Sequence, residues 1–112
     1  MATTTLELQN CIQHCTQCVQ ECRSCAEKCR AMTGMDMESC IRACEECVSS
    51  CEKTLETMRG GSNADCARCA EVCDRCAAEC ESHSEDFMKQ CARVCHECEQ
   101  ACRLSAATPI AR

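Results

Sequence analysis

Cysteines recur along this chain at gaps that alternate strictly between three and four residues, and that rhythm leaves little choice of fold. They occupy positions 11, 15, 18, 22, 25 and 29; then 40, 44, 47 and 51; then 66, 69, 73, 76 and 80; then 91, 95, 98 and 102. Residues three and four apart share one face of an α-helix, and the alternation holds each group to that face at a mean period of about 3.5 residues. A strand would need a period of two. Four groups therefore predict four helices, each carrying a continuous stripe of thiols.

The breaks between groups carry matching punctuation. Gly34 followed by Asp36 is expected to end the first helix and cap the second, and Gly60-Gly61-Ser62-Asn63 separates the second from the third. Ser82 with Glu85 three residues on has the form of a capping box opening the fourth helix, and Pro109 stops it. The predicted helices run from about Thr5 to Met32, Met37 to Arg59, Ala64 to Ser82 and Glu85 to Ala106. Short connections make successive helices antiparallel. The expected fold is all-α: one domain over residues 1–112, an up-down-up-down four-helix bundle with a cysteine-lined core.

Composition requires the cysteines to be that core. Nineteen cysteines stand beside one Phe and no Tyr or Trp, so an ordinary hydrocarbon interior cannot be assembled. The remaining apolar residues lie beside the thiol stripe and widen it: Ile12, Val19 and Ala26 on the first helix, Ile41, Val48 and Leu55 on the second, Phe87, Val94 and Ala101 on the fourth. Their spacing suits packing between helices, with self-association as the other use of such a face.

Short cysteine-rich chains are usually secreted disulfide scaffolds. Three features argue otherwise here. The first ten residues have neither a basic nor an apolar leader segment, so export is not expected. Nineteen is odd, which leaves one thiol over in any pairing. Helical neighbours four apart have Cβ atoms about 5–6 Å apart, whereas a disulfide needs about 3.5–4.5 Å. A reducing cytoplasm is the expected compartment. No stretch reaches transmembrane length, and a net charge of −6 disfavours nucleic acid, so neither a membrane nor a nucleic-acid partner is expected.

The spacing favours a metal over a cross-link. Nine Cys-x-x-x-Cys pairs can be written without overlap: Cys11/Cys15, Cys18/Cys22, Cys25/Cys29, Cys40/Cys44, Cys47/Cys51, Cys69/Cys73, Cys76/Cys80, Cys91/Cys95 and Cys98/Cys102, leaving Cys66 alone. An all-sulfur donor set selects soft ions: Cu(I), Zn(II) or iron–sulfur clusters. Ferredoxin-type cysteine spacing is absent. Cu(I) accepts two or three thiolates, so each pair is already a site, whereas Zn(II) prefers four and would need pairs from different helices to meet. One monovalent ion per thiolate also neutralises a buried core, which sets an expected load near one Cu(I) per cysteine. Such capacity suits storage better than delivery. A general Zn/Cd buffer resembling metallothionein is the alternative. No nucleophile with a paired base, phosphate-binding loop or cofactor motif is present, so an enzyme is not expected.

Over residues 11 to 102 this array of helical Cys-x-x-x-Cys pairs resembles the bacterial cytosolic copper storage proteins. The resemblance implies cytosolic Cu(I) storage, a homotetramer, and copper entering at one end of each bundle. It implies thiolate ligation by all nineteen cysteines, with Cys66 the least secure correspondence.

Extending the three-four register beyond the cysteines distinguishes the two ends. At the end holding the first and third connections the register continues through Met32, Met37, His83 and Met88, which are soft or borderline copper ligands and the expected mouth. Each also has a packing alternative, because Met commonly fills core gaps. At the other end Leu8 and Met58 continue the register with Leu55 and Leu104 nearby, an expected apolar plug. Of the remaining candidates, His14 flanks the stripe and is expected to pack, His96 is expected to face solvent, and Met35 lies in the first connection.

Overall fold

Four helices form where the thiol stripes predict them. The computed structural model describes residues 6–32 and 36–108, so Thr5, Gly34, Met35 and Pro109 lie outside the described residues. Helix α1 is Leu6–Ala31, α2 Glu38–Arg59, α3 Cys66–Glu81 and α4 Asp86–Ala107. They pack in ring order: α1 against α2 and α4, α3 against the same two, with α1 and α3 on opposite corners. The result is a rod of 54 × 18 × 17 Å, the antiparallel bundle expected from the short connections.

All nineteen cysteines point inward, none more than 2 % exposed. The flanking apolar residues close the gaps between helices: Val19, Ala26, Leu55, Val94 and Ala101 are buried, and Ile12, Ile41, Val48 and Phe87 half-buried against the same core. Helix α3 contributes Ala70, Val72 and Ala77. Outside this layer, Arg23–Glu52 and Arg30–Glu45 ion pairs join α1 to α2, and Lys28 on α1 lies 5.6 Å from the centre of the Phe87 ring on α4. The ion pairs are exposed, and pairs of that kind contribute about 0–1 kcal/mol each. Burial of the seam does most of the holding.

The helix ends correct two predicted details. Ser82 does not open α4; its hydroxyl donates to the Glu79 carbonyl at 2.6 Å and closes α3. Helix α4 begins after Glu85, which has extended backbone and makes no side-chain cap. Helix α3 starts at Cys66 rather than Ala64, because Ser62 and Asn63 spend the intervening residues in turns: Ala64 N–H donates to Ser62 Oγ at 3.1 Å and Cys66 N–H to the Asn63 carbonyl at 3.1 Å. Asp36 does act at the start of α2, accepting from the Glu38 N–H at 3.2 Å. Gly61 takes φ 89°, the left-handed conformation that lets its N–H close α2 on the Met58 carbonyl at 2.9 Å. Thr108, the residue before Pro109, is extended at ψ 124°, as the proline ring demands of its predecessor.

Candidate metal centre

Each helix delivers its thiols to the axis at two levels per two turns, so sulfurs from all four helices interleave along the rod. Within a helix, Cys11 and Cys15 lie 4.0 Å apart and Cys18 and Cys22 3.9 Å apart, measured between Sγ atoms. Between helices the approaches are as close or closer: Cys11–Cys102 3.4 Å, Cys15–Cys98 3.6 Å, Cys18–Cys47 3.6 Å, Cys22–Cys95 3.6 Å, Cys29–Cys40 3.7 Å and Cys51–Cys69 3.7 Å. The i, i+4 pair is therefore not the self-contained unit its spacing suggests. Sites are knitted across helices.

These distances suit metal coordination. With a metal–sulfur bond of about 2.3 Å, three sulfurs around one ion stand about 4.0 Å apart and four in a tetrahedron about 3.8 Å apart. Every cysteine remains a free thiol. Four-thiol groups with all sulfurs within 4.8 Å of one another also occur, including Cys18/Cys51/Cys73/Cys98, Cys18/Cys22/Cys47/Cys95, Cys22/Cys76/Cys91/Cys95, Cys25/Cys40/Cys44/Cys80 and Cys44/Cys76/Cys80/Cys91. Meeting of four thiols from different helices, which looked demanding from sequence, is thus built into the packing. Coordination number alone does not separate a monovalent from a divalent soft ion here.

The interior resists free charge. A hydrogen bond to Cys18 leads the causes that hold Cys22 well above the ordinary thiol value, with burial adding to it. Burial first, then the hydrogen bond to Cys40, pushes Cys29 up to about 12. Hydrogen bonding with Cys11, followed by burial, raises Cys66. The sharing is uneven: Cys18 and Cys76, each bonded by several neighbouring thiols with Cys22 the largest contributor, lie below the ordinary value despite burial. A thiolate formed at either is surrounded by S–H donors, and Cys40, Cys47, Cys69 and Cys91 also lie below the ordinary value. At the raised thiols a metal must replace the proton as it enters.

Both ends can be read from the positions that continue the seam. At the expected mouth Met88 is fully buried, Met37 is 4 % exposed, and Met32 is half-buried against the core. His83 is half-buried, with Nε2 3.4 Å from Glu79 Oε2. The thioethers thus line the last layer before solvent, and the imidazole sits at its rim beside a carboxylate. The opposite end departs from the expected leucine plug. Leu8, Met58 and Leu55 are buried there, but Leu104 is 60 % exposed and contributes nothing. Two hydroxyls that continue the seam, Thr54 and Ser105, complete the layer at 1 % exposure each. Their burial is satisfied: Thr54 donates to the Ser50 carbonyl at 2.7 Å, and Ser105 accepts from Cys66 at 3.5 Å. Asn63 Nδ2 donates to the Ser105 and Thr108 carbonyls at 2.8 and 3.0 Å, tying the α2–α3 connection over the end of α4. Continuing the register by one more step on α2 and α4 would have found Thr54 and Ser105; Asn63 lies off the register and gave no such signal.

The other histidines take no part in the array. His14 is half-buried on the flank of α1. His96 is not merely solvated: Nδ1 lies 3.2 Å from Glu99 Oε1 and Nε2 3.2 Å from Glu81 Oε2, joining α4 to α3. Burial would lower its pKa, but the hydrogen bonds to Glu99 and Glu81 carry it upward.

A family profile described as copper storage protein matches residues 4–107. The chain is similar to apo copper storage protein 3 from Bacillus subtilis, with 33% identity, TM-score 0.81 and coverage of 88% of this chain and 98% of that one. It is similar to the Cu(I)-bound copper storage protein BsCsp3 at 33% identity and TM-score 0.86, covering 90% and 99% of the two chains. A cytosolic copper storage protein from Streptomyces lividans, described with five coppers, aligns at 30% identity and TM-score 0.85 over 92% and 94%. No curated protein matches the chain significantly in sequence.

Proposed function

The chain belongs to the copper storage protein family, and on that premise we propose that it takes up many Cu(I) ions and holds them as thiolate complexes along the bundle axis. The observation that carries this reading is the continuous file of nineteen buried thiols spaced at coordination distance across four helices. A delivery protein needs one accessible site. This core has no break at which a single ion would be isolated from its neighbours, so capacity is its organising property.

The ligands are Cys11, Cys15, Cys18, Cys22, Cys25, Cys29, Cys40, Cys44, Cys47, Cys51, Cys66, Cys69, Cys73, Cys76, Cys80, Cys91, Cys95, Cys98 and Cys102. Each ion that enters displaces one proton, and at one Cu(I) per thiolate the core is neutral. That balance favours Cu(I) over a divalent ion on four thiolates, which leaves two negative charges in an apolar interior. Copper enters at the end lined by Met32, Met37, Met88 and His83, where thioethers and an imidazole offer ligands weaker than thiolate and so pass ions inward. The opposite end is closed by Leu8, Met58, Thr54 and Ser105. The protein works in the cytoplasm, as the Streptomyces lividans relative is described, and assembles as a homotetramer.

Anaerobic titration of the reduced, metal-free protein with Cu(I), read against a chromogenic chelator, tests the assignment. Saturation close to the nineteen cysteines of the chain is expected. Saturation near one ion per four cysteines, with Zn(II) binding to the same level, would replace storage by a general soft-metal buffer.

A further inference from the structure

The four-thiol groups are not equivalent, and one has the properties of a site for a different class of ion. Cys18, Cys51, Cys73 and Cys98 come from α1, α2, α3 and α4 respectively, one thiol per helix, with all four sulfurs within 4.8 Å of one another. One edge, Cys51–Cys73, is already 4.0 Å, close to the tetrahedral separation of about 3.8 Å. The other named groups take two of their sulfurs from a single helix.

The obstacle to a divalent ion in this core is charge. Binding breaks four S–H bonds, forms four metal–sulfur bonds and releases four protons, with no change of oxidation state. A net charge of −2 remains on the complex. A buried charge of that kind persists only if hydrogen bonds reach the sulfurs. This group has a separate outside thiol for each ligand: Cys22 lies 3.9 Å from Cys18, Cys69 3.7 Å from Cys51, Cys47 3.8 Å from Cys73 and Cys15 3.6 Å from Cys98. Four protonated thiols can therefore donate to four thiolates. Outside thiols also reach Cys25/Cys40/Cys44/Cys80, with Cys29 3.7 Å from Cys40 and Cys76 4.0 Å from Cys44 and with Cys91 bonded to Cys25 and Cys76 to Cys80, so origin from four separate helices is what sets Cys18/Cys51/Cys73/Cys98 apart.

We propose that Cys18, Cys51, Cys73 and Cys98 form a tetrahedral site for one divalent ion of the zinc class, occupied when Cu(I) is scarce and surrendered when Cu(I) arrives. Because the ion takes one ligand from every helix, it pins the bundle at mid-length and preserves the register of the remaining thiols. Cu(I) displaces it by neutralising both the ligands and their hydrogen-bond donors, which a divalent ion cannot do. The proposal stands on the geometry of these eight thiols and not on the storage reading.

Cobalt(II) is the probe, added anaerobically to the reduced, metal-free full chain with a non-thiol reductant. The first equivalent is expected to give the intense visible ligand-field and sulfur-to-metal charge-transfer bands of tetrahedral tetrathiolate coordination, to raise the thermal midpoint, and to be erased by one equivalent of Zn(II). Cys51→Ser and Cys98→Ser should weaken that first equivalent by more than about tenfold, while Val94→Ala, a buried packing residue outside the thiol array, leaves it intact. Weak octahedral bands alone in the unsubstituted protein would overturn the proposal, as would equal losses in Val94→Ala and Cys98→Ser. The spectrum and endpoint of the unsubstituted chain decide the matter even if a variant loses its helical circular dichroism. Cu(I) capacity measured on the same preparation separates this outcome from failure of the storage reading.

Discussion

Loading the bundle with Cu(I) should release most of a proton per ion, and the magnitude follows from the sulfur spacing. Neighbouring Sγ atoms stand 3.4 to 4.0 Å apart. Two thiolates at such a distance repel by about 4–5 kcal/mol at an effective dielectric constant of about 20, equivalent to roughly three pKa units on the second to ionise. Burial opposes even the first, as the rise of Cys29 to about 12 illustrates. Isolated thiolates can form where several S–H donors converge, as at Cys18 and Cys76, but two adjacent ones cannot coexist at neutral pH without metal between them. Titration with Cu(I) carried by acetonitrile, which brings no titratable group, in weakly buffered anaerobic solution with a pH indicator measures the ratio directly. A ratio between about 0.7 and one at pH 7, with thirteen to nineteen protons released per chain, is expected, because Cys18, Cys40, Cys47, Cys69, Cys76 and Cys91 lie below the ordinary thiol value. A ratio near one half at pH 7 would refute the reasoning, because alternate thiols would then be ionised beforehand and water or counter-ions would have to reach the core.

Alkaline conditions should unfold the metal-free protein selectively. With Cys29 raised from 9.0 to about 12, the folded chain holds protons that the unfolded chain releases, so stability is intact below about pH 9 and falls as pH rises from there; Cu(I)-loaded protein, its thiol protons already gone, should show no such decline in a circular dichroism titration. Asn63→Ala strips the donor from the Ser105 and Thr108 carbonyls and should cost about 1–3 kcal/mol in urea unfolding, with faster amide exchange confined to the α2–α3 connection and the end of α4. At the proposed mouth, His83→Ala combined with Met32→Leu, Met37→Leu and Met88→Leu removes the soft donors while nearly conserving core volume. Severalfold slower Cu(I) uptake and chelator-driven release at unchanged capacity is expected in stopped-flow measurements; unchanged kinetics would move the point of entrance elsewhere.

The helical architecture was legible because one residue type marks the buried face without interruption. Period and phase survive in the cysteine positions even where propensity is weak, so four helices, their order and their inward faces follow. Less legible were the ends, where local hydrogen bonds compete. Ser82 satisfies the helix that precedes it rather than the one that follows, and Ser62 and Asn63 delay α3 by shaping turns. Leu104 looked like core by type, but it lies one step off the α4 seam, and Ser105 takes the inward position. The set of inward-facing thiols was legible and their connectivity was not. Spacing along one helix reveals which sulfurs share a face; which sulfurs meet across the axis depends on the relative height of four helices, and nothing in a single stripe encodes that. Cys18 therefore looked like the partner of Cys22, yet Cys47 on α2 is nearer.

A core built largely of thiols has little hydrocarbon to hold it together. Each cysteine buries less apolar surface than the leucine that would usually occupy its place, so cohesion gained from excluding water is modest, and the cargo supplies much of what side-chain bulk would otherwise contribute. Metal binding to the folded chain alone shifts its unfolding equilibrium by mass action, so susceptibility to proteolysis should track copper content. The lifetime of each molecule should then depend on how full it is, with empty chains cleaved before filled ones.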